Sequence, residues 1–191
     1  MKTEQTTAQE QLDLIEQTIA QAKENLSNHS FSYIFWGWMV SLTALANYVL
    51  LTYSPLGNNS FLIWPIAMIL GAVYIVGYYR KAEKTKSHQT HLEYFLSRMW
   101  MVIGIILFLF SIIISFINIS PWFFFPFVAG IGTLVSGVVL KFKPLTLGGI
   151  VLITFPFYSV LVPESSFLLL YAAIIVVSYL IPGYALKRYR A

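Results

Sequence analysis

Six uninterrupted apolar runs dominate this chain: Phe31 to Tyr53, Phe61 to Tyr79, Met99 to Asn118, Trp122 to Leu140, Pro144 to Val162 and Ser165 to Leu186. At about 1.5 Å of rise per helical residue, each is long enough to cross the roughly 30 Å of hydrocarbon in a bilayer. With 58% apolar and 10% charged residues and a mean hydropathy of +0.72, the 191-residue chain holds more apolar side chain than so small a globule can hide. The lipid bilayer is therefore the first partner expected. The expected fold is an all-α polytopic membrane helical bundle, with six transmembrane helices in three hairpins over residues 31–186. Residues 1–30 form an acidic cytoplasmic helix before it, and residues 187–191 a basic tail. The fifth run contains Pro156 and opens near Gly148-Gly149. Neighbouring helices in a bundle can satisfy a broken helix, so it is retained as a span.

Orientation follows from the basic residues. Lys2 and Lys23 precede the first run; Arg80, Lys81, Lys84, Lys86 and Arg98 surround the second connection; Lys141 and Lys143 form the fourth; Lys187, Arg188 and Arg190 end the chain. All 12 fall on one side, while the connections at 54–60, 119–121 and 163–164 hold none. The positive-inside rule then puts both termini in the cytoplasm, a pattern that an odd number of spans would break. A bacterial inner membrane is the expected location. The polar leader has neither a short apolar core nor a small-residue cleavage site, so the first span is expected to act as its own insertion signal. Trp36, Trp38, Tyr78, Tyr79, Trp100 and Tyr184 fall near the inner interface and Tyr53, Trp64 and Trp122 near the outer one, where amphipathic rings anchor helices.

Proline and glycine recur in register. Pro65, Gly71 and Gly77 precede Arg80; Pro126, Gly132 and Gly137 precede Lys141; Pro182-Gly183 precedes Lys187. Duplication of one hairpin accounts for the pattern. From Val102 to Leu140, with Gly104, Ser120-Pro121, Pro126, Gly130, Gly132 and Gly137, the chain resembles small bacterial six-span proteins built from repeated hairpins, such as the HdeD-type acid-resistance membrane family. The acidic leader joined to Tyr33-Ile34-Phe35-Trp36-Gly37-Trp38 resembles uncharacterised bacterial membrane proteins. Both resemblances imply architecture only, and no functional residue is transferred.

The runs contain no Asp, Glu, Lys, Arg or His. Proton relays, ion-coupled transport and voltage sensing leave ionisable groups at membrane depth, and metal hydrolysis requires carboxylates or histidines there. The absence of cysteine excludes disulfides, thiolate catalysis and cysteine-held metals. An enzyme is not expected, nor is a cofactor. The in-span polar residues are Ser41, Thr43, Asn47, Ser111, Ser115, Asn118, Thr133, Ser136, Thr154, Ser159 and Ser178, a set whose ordinary work is helix packing. A primary amide in hydrocarbon needs several partners, so Asn47 and Asn118, with Thr154 and Tyr158, are the candidate ligand-binding residues.

His88 and His91 near Glu93 superficially resemble a metal cluster, but Thr90 and Glu93 also read as a capping box that starts the third span. No metal site is expected, and no platform for nucleic acid. In the leader, Ala8, Leu12, Ile15, Ile19, Ala22 and Leu26 recur at spacings of four and three, laying a narrow apolar seam along one helix face. Glu4, Glu10, Asp13, Glu16 and Glu24 outnumber Lys2 and Lys23 there, which disfavours anionic lipid as the cover. A protein surface fits better: a second copy of the chain, the basic 80–98 connection of the same chain or another protein, held through residues 8–26, with Leu12, Ile15, Ile19 and Leu26 as the candidate partner-binding residues.

Two functions are therefore expected in order. The first is a non-catalytic membrane scaffold or regulatory subunit acting through protein contacts. The alternative is a small-solute-binding or transport subunit; in size, span number and basic inner ends the chain is similar to the substrate-capturing component of energy-coupling-factor transporters.

Overall fold

A computed structural model of the chain describes residues 30–83, 91–116, 124–159, 161 and 164–188, and among these every regular element is helical. Helix α1 spans Ser30–Tyr53 and leads through a 3-10 turn at Gly57–Leu62 into α2, Ile63–Glu83. Then follow α3 (His91–Phe116), α4 (Phe124–Val139) and α5 (Lys143–Ser159). The last rod is composite: α6 (Glu164–Ile175), a π turn (Val176–Leu180) and α7 (Ile181–Arg188). Four helical stretches, Ser30–Tyr53, Asn59–Lys81, Leu92–Ile113 and Ser166–Arg188, are long and apolar enough to cross a membrane. The helices of the fourth and fifth runs are apolar but shorter, at 16 and 17 residues.

Local chemistry explains several of these boundaries. Pro65, Pro126 and Pro144 all stand in the first turn of their helices, where the missing N–H has no intrahelical acceptor to serve. Helix α3 begins at His91, one residue after Thr90, with Glu93 in its first turn. Between α4 and α5, Lys141 adopts a left-handed φ of 52°. Phe142 N–H donates to Gly137 O at 2.9 Å and Lys141 N–H to Val138 O at 3.1 Å, the paired bonds of a Schellman cap with lysine where glycine is usual. Helix α5 then continues through Pro156 to Ser159, three residues short of the expected end of that span.

The π turn has a sequence cause. Pro182 carries no N–H for the carbonyl of Ser178 four residues earlier, and its ring crowds that carbonyl, so the helix widens just before it. That carbonyl faces Gly148 of α5, where a Cβ would lie 2.6 Å from Ser178 O. One proline and one glycine thus seat α5 against the last helix.

Helix contacts follow chain order and close on themselves. Gly71 of α2 lies under Met39 and Trp36 of α1, and Gly132 of α4 under Ile103 and Trp100 of α3. Gly148 meets the π turn, and the ring closes where Gly37 of α1 abuts Tyr179 and Leu180, and Gly183 of α7 abuts Tyr33 and Ile34. The tightest pair is α4 with α5. Gly137, Leu134 and Gly130 descending α4 meet Thr146, Gly149 and Ile153 ascending α5 in one fixed antiparallel register. That pair is joined across the basic turn at Lys141, between the second and third of the expected hairpins rather than within one.

The bundle interior mixes large apolar side chains such as Leu152, Phe155 and Leu168 with small and polar ones, while its exterior is large and apolar. On α1, Ser30, Tyr33, Gly37, Ser41, Ala44 and Asn47 face inward while Trp38, Leu42, Leu45 and Val49 are exposed. On the outer faces of α2 and α3, Leu70, Val73, Ile105 and Leu109 are each more than half exposed. An apolar exterior of this extent is compatible with a membrane protein and foreign to a water-soluble one.

Candidate functional site

Two clusters of polar side chains lie inside the bundle, one toward each end. The first forms around Asn47, which α1 buries completely on its inward face. Its amide Nδ2 donates to the hydroxyl of Ser60 at 2.9 Å, and its Oδ1 accepts from the indole N–H of Trp64 at 3.2 Å. Ser60 reaches it because the 3-10 turn tucks residue 60 beneath the end of α1. Trp64 in turn stands 6.0 Å, centroid to centroid, from Tyr171, which packs with Phe155 and Phe167 to form an apolar floor.

The second cluster joins four helices nearer the basic turns. The Trp100 indole of α3 donates to Ser136 Oγ on α4 at 3.1 Å, and that hydroxyl donates to Gly132 O at 2.7 Å. Tyr33 of α1 sets its ring edge-on to Trp100 and 5.9 Å from Tyr179 of the π turn. Thr133 donates to Ala129 O at 2.8 Å and pairs with the Tyr179 hydroxyl at 3.0 Å. Beside them the Ser178 hydroxyl is fully buried and has no hydrogen-bond partner among the described residues. Between the clusters, Ser41 Oγ donates to Ala172 O at 3.4 Å, tying α1 to α6.

Three of the four candidate ligand residues, Asn47, Thr154 and Tyr158, lie among the described residues, each in different surroundings. Asn47 is occupied by Ser60 and Trp64. Thr154 donates to the carbonyls of Ile150 and Val151 on its own helix. Tyr158 is 62% exposed on the outside of α5. Asn118 lies outside the described residues, as do Leu12, Ile15, Ile19 and Leu26 of the leader.

Three residues work differently from their sequence reading. Trp64 and Trp100 stand where interfacial anchors are expected, yet each turns its N–H inward to a buried acceptor. Ser60, in a connection at the sequence level, is a buried partner of Asn47. No hydropathy pattern distinguishes an anchoring tryptophan from a bridging one. A buried amide thirteen residues before a serine is the only hint the sequence offers.

Chemically, both clusters hold hydroxyls, indoles and one amide, groups that exchange hydrogen bonds without changing charge. Their arrangement serves helix association. Two open apolar grooves lie outside this interior: one of about 300 Å³ between α1 and α2 beside Leu42 and Ile66, and one of about 450 Å³ between α3 and α4 beside Val102 and Val135. Compared with family models, curated proteins and solved structures, the chain matches none.

Proposed function

We propose that this chain is a non-catalytic scaffold or regulatory subunit of a bacterial inner membrane, crossing six times with both termini in the cytoplasm. The observation that supports it best is the state of Asn47. The most ligand-like side chain of the membrane domain is sealed from solvent, giving one amide N–H to Ser60 and accepting from the Trp64 indole. A bundle whose interior polar groups, Ser178 apart, are bonded within the bundle acts through its surfaces. Those surfaces are the basic inner connections and the acidic leader with its seam of Leu12, Ile15, Ile19 and Leu26.

Six crossings include the two short helices. At 16 and 17 residues, α4 and α5 span about 24 to 26 Å, a mismatch that local bilayer thinning and snorkelling of Lys141 and Lys143 can absorb. The experiment is affinity purification of the full chain from detergent-solubilised membranes beside a chain lacking residues 1–28. The scaffold reading expects a second copy or a partner to co-purify with the full chain and to be lost on deletion. Identical, monomeric behaviour of the two proteins would refute it.

A solute-binding role retains one supporting observation, the buried and unpartnered Ser178 hydroxyl beside the π turn. It expects a specific small molecule to raise the thermal stability of the purified chain and Ser178→Ala to remove that rise.

A further inference from the structure

The groove between α3 and α4 has a charged end and an apolar trough. Its walls are Phe95, Met99, Val102 and Ile103 on one side and Ile131 and Val135 on the other, with Gly132 between them and Arg98 as the only charge among the lining residues. The groove exists because Gly132 has no side chain beneath Ile103 and because the Trp100 indole is drawn inward to Ser136. Arg98 stands two turns into α3, and its guanidinium rests over the ring of Tyr94, 5.0 Å from the centroid, toward the start of the helix. Beyond Arg98 no residue of α3 is charged. The trough thus runs from a cation into an apolar surface, about 7 Å along the helix from Arg98 to Ile103.

From this arrangement we infer that the groove holds an anionic phospholipid, with its phosphate on Arg98 and an acyl chain along Val102, Ile103, Ile131 and Val135. The inference rests on the membrane reading above, in which Arg98 belongs to the cytoplasmic basic set and the trough faces the inner leaflet. Charge complementarity selects the occupant. Arg98 is the one charged residue lining the groove and no acidic side chain lines it, so the groove favours a headgroup with net negative charge over a zwitterionic one. Arginine suits the role because its planar fork stacks on Tyr94 while its N–H groups stay directed at phosphate oxygens.

The test is native mass spectrometry of the full chain, stripped of lipid in detergent and offered equal amounts of phosphatidylglycerol and phosphatidylcholine with matched acyl chains. The wild-type chain should retain phosphatidylglycerol preferentially. Arg98→Gln should lower that retention roughly fivefold while leaving phosphatidylcholine unchanged, and Arg98→Lys should keep the preference. Val135→Trp, which narrows the trough without altering charge, should lower retention of both lipids. Retention of phosphatidylglycerol by Arg98→Gln at the wild-type level overturns the inference. So does an equal loss in Lys143→Gln, which would reduce the effect to diffuse surface charge. Extraction of the wild-type chain from native membranes by alkaline carbonate would instead overturn the membrane reading itself.

Discussion

Asn47 and Thr154 occupy equivalent places in the sequence, each a polar residue amid an apolar run, but the structure gives them different work. Asn47 links α1 to Ser60 and Trp64 across the first connection, whereas Thr154 bonds only to its own helix. Asn47→Leu leaves a buried hydroxyl and a buried indole N–H without their shared partner, an expected loss of about 1–2 kcal/mol. Thr154→Val removes a bond that merely competes with the helix ladder and should cost under about 0.5 kcal/mol. Unfolding of both variants in bicelles with increasing SDS measures the difference; equal losses would mean that Thr154 has a partner across the bundle. The sequence made Asn47 conspicuous because an amide in hydrocarbon demands partners. It could not supply them, since Ser60 lies in a polar connection and Trp64 at the depth of an interfacial anchor. Which groups meet depends on the 3-10 turn, and a turn of that kind leaves no periodic trace.

At the scale of elements, the α4–α5 pair concentrates the molecule's steric and backbone demands. A Cβ at Gly149 would lie 2.6 Å from Leu134 Cα, and one at Gly137 would lie 2.7 Å from Thr146 Cα, so backbone rather than a flexible side chain must yield. Gly149→Ala is therefore expected to cost about 1–3 kcal/mol. Gly77→Ala, where an added Cβ meets nothing within 4 Å, should be neutral or slightly stabilising. Comparing the two in the same SDS titration checks the assignment, and equal tolerance would show that the helices are not seated backbone to backbone. The cap between them makes a prediction of opposite sign. Lys141 holds a φ of 52°, a conformation that costs an L-residue with a side chain roughly 1–2 kcal/mol, so Lys141→Gly should stabilise by under about 1 kcal/mol once glycine's larger unfolded-state entropy is offset. Glycine and proline spacing is visible in the sequence as a repeat, but among its glycines Gly71, Gly132, Gly137 and Gly183 sit at close approaches and Gly77 does not. Gly130 meets Ile153, Gly137 meets Thr146 and Gly149 meets Leu134 across a single pair, while Gly77 and Gly104 face open space. Spacing alone cannot separate these, because it does not reveal which helix lies opposite.

For the whole molecule, the apolar runs made the helical architecture legible, since runs of this length allow little else in lipid. The number of crossings turns on α4 and α5, which together are the shortest and most tightly joined pair. If they cross separately, the turn at Lys141 to Lys143 emerges in the cytoplasm. If they instead dip in from outside and return, the four longer helices alone still bring both ends of the chain to the cytoplasmic side. Probes at the termini are thus blind to the choice. Position 143 decides it. Burying Lys141 and Lys143 at mid-membrane would cost about 2.5–3.5 kcal/mol for each charge, against a modest penalty for two helices a few ångströms short. The chain has no cysteine, so single cysteines report without background. In intact cells, Cys at Lys143 should resist a membrane-impermeant maleimide and react once the inner membrane is opened, while Cys at the exposed Leu161 should react in both conditions. Failure of position 143 to react even in opened membranes would place the turn within the bilayer and reduce the crossings to four. The anionic-lipid groove between α3 and α4 would then need reassessment, because its second wall would no longer reach the inner leaflet.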